Sequence, residues 1–270
     1  MPERGDERVD AAAATLSNLG YTLVDARDGK DLSEAFLQQK PALTAEKIVT
    51  YLADPTHRAA AMLTLGEADL VVSGAVTNTA TVLRAAFRAL GLAPGVPLSC
   101  SSFLMHFPDG RTYLWGDCGA NLAPKADEMA HIGDMLATAA KNLFGSAELA
   151  LLSYSTGASG AGPTVDLMRE ATQILRAKGH KAHGPVQGDA ALNPAIGTRK
   201  GMPDLDPNVL LFPTLDAGNI AYKLAQELAG ATALGPLLHG FGKPMADLSR
   251  GASAEDIVGV TLMTTLIHSG

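Results

Sequence analysis

The sequence predicts an α/β protein, a mainly parallel sheet with flanking helices, and two observations carry that prediction. Helical stretches and short apolar runs alternate from end to end, which is the pattern of repeated βα units. The composition agrees with it: 47% of the 270 residues are hydrophobic but only 5% are aromatic. Abundant Ala and Gly suit close contacts between helices and a sheet. The length serves one large domain or two modest ones.

The elements follow in order. Residues 7–19 read as a helix closed by Gly20, and Tyr21 to Asp25 as a short strand. Thr44 to Lys47 opens a second helical stretch, and Asp69 to Gly74 has the character of a buried strand. A helix over 79–90 leads to a Gly/Pro-rich hinge at 92–97. Two β-like runs come next, 98–107 and 112–115, joined by the turn Pro108-Asp109-Gly110. Helix 125–143, strand 148–154, helix 164–177, strand 208–212 and helix 217–229 continue the alternation. An apolar stretch over 233–239 and a closing helix over 254–268 complete it.

Several function classes are disfavoured at once. A formal net charge of −7 argues against a nucleic-acid footprint. Two cysteines, Cys100 and Cys118, make neither a disulfide scaffold nor a zinc ribbon. The histidines His106, His131, His180, His183 and His239 lack metal-ligand spacing, so no metal site is expected. The charged opening Met1 to Arg8 has no signal-peptide core, and no run of about 18 apolar residues exists to span a membrane. The expectation is a cytoplasmic protein in a reducing compartment.

Three stretches could carry chemistry. In Leu152 to Pro163 an apolar strand runs into a Ser/Gly loop before a helix, presenting Ser155, Thr156 and Gly157 where a helix dipole favours an anion. An ordinary βα connection has the same look. In Phe212 to Lys223, Gly218 and Asn219 would allow close backbone approach to a ligand, while Asp216 as a plain helix cap competes with that account. In Lys243 to Asp256, a Lys, an Arg, hydroxyls and carboxylates gather before an apolar helix. Ser253-x-x-Asp256 is also a capping-box pattern, which spacing alone favours over chemistry.

Taken together these residues resemble the phosphate acetyl/butyryltransferase family, its phosphotransacetylase branch most closely. The matching stretches are Leu151 to Gly157, Val186 to Ala191, Phe212 to Gln226 and Lys243 to Val258, extended by Val72 to Ala75, Arg84 and Gly116 to Cys118. The match is good over 66–270 and poor over 1–65. The resemblance implies two α/β domains of isocitrate/isopropylmalate-dehydrogenase-like architecture, one from 1–95 with 237–270 and one from 96–236. It implies reversible acetyl transfer between coenzyme A and phosphate in acetate metabolism, and a homodimer formed through the second domain. No permanently bound cofactor is implied; acetyl-CoA and phosphate are substrates.

Site residues carry over one at a time. Asp256 matches the general base for the coenzyme A thiol, and Ser249 the hydroxyl that positions it. Arg250 matches the cation that holds phosphate and polarises the acyl carbonyl, and Arg84 a second arginine of the site. Lys243, Gly251, Ser155, Thr156, Gly157, Gly218 and Asn219 are expected to contact substrate.

The chain also departs from the family pattern. Ala252 stands where many members have Cys, which excludes an acyl-cysteine route there and favours direct thiol attack. The Ser-x-Val-Ala-Gly loop is unrecognisable in Gly201 to Pro207, and family members usually have a strand before the segment Met1-Pro2-Glu3. Lys40 is a candidate replacement for an arginine used by some members. Two alternatives stay open: a non-catalytic acyl-CoA-binding regulatory domain, or a propionyl- or butyryl-specific transferase.

Overall fold

The computed structural model describes residues 1–26, 29–40 and 43–268, with the backbone alone over 29–31. They form two compact units, 1–96 with 235–268, and 97–234. The first unit begins with α1 (Glu7–Asn18), α2 (Gly29–Gln39), α3 (Ala45–Leu52), α4 (Pro55–Leu65), β1 (Val71–Ser73) and α5 (Thr79–Ala89). The second holds β2 (Cys100–His106), β3 (Thr112–Gly116), α6 (Ala126–Phe144), β4 (Glu148–Leu152), α7 (Pro163–Ala177), β5 (Lys181–Val186), α8 (Gly188–Leu192), α9 (Pro194–Arg199), β6 (Val209–Leu211) and α10 (Leu215–Ala229). Strand β7 (Thr232–His239) carries the chain back to the first unit, which closes with β8 (Met245–Asp247) and α11 (Ala254–Ile267).

Local chemistry sets the helix starts. Asp6, Thr44, Asp54 and Asn78 cap α1, α3, α4 and α5, each side chain accepting from a backbone N–H of the first turn. Pro55 adds the fixed φ that suits a first helical position.

In the first unit β8 lies between β1, parallel to it, and β7, antiparallel to it. Val71 of β1 and Met245 of β8 join a core with Leu32, Phe36, Leu52 and Leu63 from the helices α2 to α4. The second unit orders its strands β2-β3-β6-β4-β5, with only the β2–β3 hairpin antiparallel. Its strands are buried nearly throughout, as expected for parallel strands covered on both faces. No helix among the described residues is long and apolar enough to cross a membrane.

One strand expectation fails. Tyr21 to Asp25 pairs with no strand; Tyr21 N–H instead bonds the Leu16 carbonyl at 3.0 Å, and its hydroxyl bonds Thr265 at 2.9 Å. Its alternating apolar pattern is spent on lining a cavity beside β1 rather than on a ladder. Five elements were not read from the sequence, α2, β5, β8 and the short helices α8 and α9, and the helical stretch that opens at Thr44 is two helices, α3 and α4.

Candidate active site

β1 and β8 are parallel neighbours in register Ser73 to Asp247, so the chain leaves both at the same carboxyl edge. Loops at that edge are where open α/β sheets bind ligands. The loop after β8 holds Ser249, Arg250 and Gly251, all exposed, and buried Ala252. It closes as a turn: Ala252 N–H donates to the Ser249 carbonyl at 2.9 Å, and Gly251 N–H to Ser249 Oγ at 3.3 Å.

Helix α11 starts immediately after. Ser253 Oγ accepts from Asp256 N–H at 3.1 Å, and Asp256 Oδ2 accepts from Ser253 N–H at 2.9 Å. The capping box is therefore formed. Only Oδ2 is engaged; Asp256 Oδ1 has no hydrogen-bond partner among the described residues. The cap and a proton-accepting role use different oxygens of one carboxylate.

Two residues unmarked by the sequence reading hold these loops. Glu3 accepts four backbone N–H groups from the loop after β1: Gly74 and Ala75 on Oε2 at 2.9 and 3.0 Å, Val76 and Thr77 on Oε1 at 3.0 and 2.7 Å. Arg8 donates to the carbonyls of Arg250, Ala252 and Ala75. Their only sequence signal was a cluster of charge ahead of a helix.

Beneath the same edge lies Asp247, fully buried, with neither carboxylate oxygen hydrogen-bonded. Burial raises its pKa to about 7, offset in part by the nearby Thr79 hydroxyl and Leu248 N–H. Gly74, at φ +120°, passes so close that a Cβ there would strike the Asp247 carboxylate.

The structure gathers Ser249, Arg250, Gly251 and Asp256 but not the other first-unit residues. Lys243 precedes β8 and is exposed, so the strand separates it from Ser249; the expected gathering of Lys243 to Asp256 does not occur. Arg84, exposed on α5, lines a cavity of about 720 Å³ with Lys47, Tyr51, His57 and Arg88, and none of Ser249, Arg250 or Asp256 reaches it.

In the second unit β4 and β6 are likewise parallel neighbours, with Leu151 opposite Leu211. The loop after β4 does not present free hydroxyls as expected. Ser155 Oγ pairs with Ser159 Oγ at 3.0 Å, and Thr156 Oγ1 donates to Gln187 Oε1 at 3.2 Å while accepting its N–H at 3.1 Å. Gly157 N–H bonds the Pro185 carbonyl at 2.9 Å.

After β6, Thr214 rather than Asp216 caps α10, accepting from Ala217 N–H. Gly218 allows close approach of the chain's own backbone: a Cβ there would sit 2.7 Å from the Asp117 carbonyl and 2.9 Å from Cys118 Sγ. Asn219 donates to the Cys118 carbonyl at 3.2 Å. Cys118 is buried, which pushes its thiol well above the usual range and keeps it un-nucleophilic. Asp117 anchors this corner, accepting from Ser101, Gly119, Ala120 and Asn121. Among the described residues no cluster of His, Cys, Asp or Glu is arranged to hold a metal.

Residues 3–265 match the protein family described as phosphate acetyl/butaryl transferase. The phosphate acetyltransferase of Paracoccus denitrificans is 38% identical over 98% of this chain and 93% of its own. That of Acetivibrio thermocellus is 39% identical over 97% and 83%. Among solved structures, a phosphotransacetylase from Streptococcus pyogenes superposes with TM-score 0.89 at 34% identity, covering 98% of this chain and 92% of the other.

Proposed function

We propose a function from one premise: the chain belongs to the phosphate acetyl/butyryltransferase family. It is an acyltransferase that moves an acetyl group reversibly between coenzyme A and inorganic phosphate. The observation that carries the reading at this chain's own residues is the turn Ser249 to Asp256. A hydroxyl, a guanidinium and a carboxylate with a free oxygen stand there at a sheet's carboxyl edge.

The chemistry we assign runs as follows. The coenzyme A thiol gives its proton to Asp256 Oδ1, oriented by Ser249 Oγ, because the thiolate is the nucleophile. The sulfur attacks the carbonyl carbon of acetyl phosphate, and the electron pair moves to the carbonyl oxygen beside Arg250. Collapse of that adduct breaks the carbon–oxygen bond to phosphate, which takes up the proton held by Asp256 and leaves as a dianion that Arg250 binds. Ala252 carries no nucleophile, so the transfer is direct. The scheme draws on no metal or bound cofactor.

Asp256→Asn keeps the cap acceptor but removes the base. Its rate of thioester formation from coenzyme A and acetyl phosphate should fall roughly 10²- to 10⁴-fold with little loss of stability. Full activity in this variant would remove Asp256 as base, and a wild type without turnover would remove the acetyltransferase reading itself.

We assign a cytoplasmic homodimer formed through the second unit. The support is an exposed stripe on α10, Ile220, Leu224 and Leu228 at 57%, 52% and 81% exposure, spaced one helical turn apart. Leu224→Glu should shift the particle to a monomer in light scattering; a wild-type monomer would refute the assignment.

A further inference from the structure

We propose that Arg8 is a positioning residue for the reaction, fixing the backbone of Arg250 and joining its turn to the loop after β1; the proposal rests on the acetyltransferase reading above. A guanidinium has five N–H donors, and here five acceptors meet them. Nε donates to Asp6 Oδ1 at 3.0 Å and Nη2 to Asp6 Oδ2 at 2.9 Å. Nη1 donates to the Arg250 carbonyl at 2.8 Å and the Ala252 carbonyl at 2.9 Å. Nη2 donates its second hydrogen to the Ala75 carbonyl at 3.0 Å.

The two carbonyls on Nη1 flank Gly251, the residue with the weakest conformational preference in the turn. The Arg250 side chain is exposed and takes no hydrogen bond or ion pair from a described residue, so only its backbone anchors it. Ala75 is the joint between the two loops, giving its N–H to Glu3 and its carbonyl to Arg8. Asp6 in turn holds the guanidinium in plane while capping α1, so helix, turn and loop share one fork. A lysine has three donors on one atom and cannot span these acceptors.

The test uses the full chain. Arg8→Lys and Arg8→Met are compared with wild type in steady-state formation of acetyl-CoA from acetyl phosphate, alongside coenzyme A binding by calorimetry, Tm and amide hydrogen exchange. Misplacing Arg250 lowers kcat roughly 10- to 100-fold in Arg8→Lys, while the dissociation constant for coenzyme A stays within about twofold. Exchange at the Ala252 amide rises at the same time. Leu63→Ala, a core truncation in the same unit, is the stability control: it lowers Tm and leaves kcat in place.

A kcat within about twofold of wild type in Arg8→Lys, or unchanged Ala252 exchange, would overturn the proposal. An equal kcat loss in Leu63→Ala would do the same. If Arg8→Met fails to fold, Arg8→Lys decides alone. A wild type silent in the assay sinks the acetyltransferase reading and this role with it, whereas an active wild type with an equally active Arg8→Lys sinks this role only.

Discussion

The loops after β1 and β8 in the first unit and those after β4 and β6 in the second solve one problem in two ways. Both pairs leave parallel neighbouring strands at the carboxyl edge. In the second unit they are tied by groups on adjoining loops, the Cys118 carbonyl, in the corner that Asp117 anchors, accepting from Asn219 of α10 and Gln187 bonding Thr156. In the first they are tied by Glu3 and Arg8, the latter 242 residues from Arg250. The second unit thereby spends its hydroxyls internally. The first keeps Ser249, Arg250 and one oxygen of Asp256 facing outward, because the restraint is applied through backbone carbonyls. Restraint through the backbone leaves side chains for chemistry.

Three changes would break or sharpen that contrast. Asp117→Ala strands the buried donors of Ser101 and the half-buried donors of Gly119, Ala120 and Asn121, and should destabilise the protein by roughly 3 kcal/mol or more in urea unfolding. A loss below about 1 kcal/mol would mean that the corner does not depend on local ties.

Asp247→Asn tests the opposite kind of buried carboxyl, one without hydrogen bonds. Its folded pKa of about 7 lies above the unfolded value near 3.8, so the folded state holds the proton more tightly. Wild-type stability should therefore fall as pH rises from about 4 to about 7 and level off beyond. Asn removes that slope and should stabilise the protein at pH 8 by roughly 2 to 4 kcal/mol. Parallel pH profiles of Tm for the two proteins would refute the assignment.

Thr156→Val is the mildest. It removes the exchange with Gln187 and should cost about 1 kcal/mol with coenzyme A saturation unchanged. A raised KM would return Thr156 to the substrate-binding set.

The α/β alternation was legible because buried parallel strands such as Glu148–Leu152 and Val209–Leu211 leave short apolar runs between helical patterns. β5 was not, since Lys181-Ala182-His183-Gly184-Pro185-Val186 has no apolar run to see. Tyr21 to Asp25 misled for the reverse reason: it has the residues of a strand without a partner. At the site, Ser253 and Asp256 were readable because a capping box has fixed spacing. Gly218 was readable as a point of close approach, but a sequence does not say what approaches. Glu3 and Arg8 were invisible as anchors, because their partners are backbone groups brought to them only by the finished fold.

The first unit is assembled from two segments that flank the second in sequence, and this orders events during synthesis. Residues 97–234 are contiguous and leave the ribosome able to complete their own sheet. Arg8 is translated before that segment and must wait for Arg250 and Ala252, made after it, before its guanidinium meets their carbonyls. The turn assigned to catalysis is thus set only after the second unit has been made, and a nascent chain stays inactive until the two segments of the first unit have met.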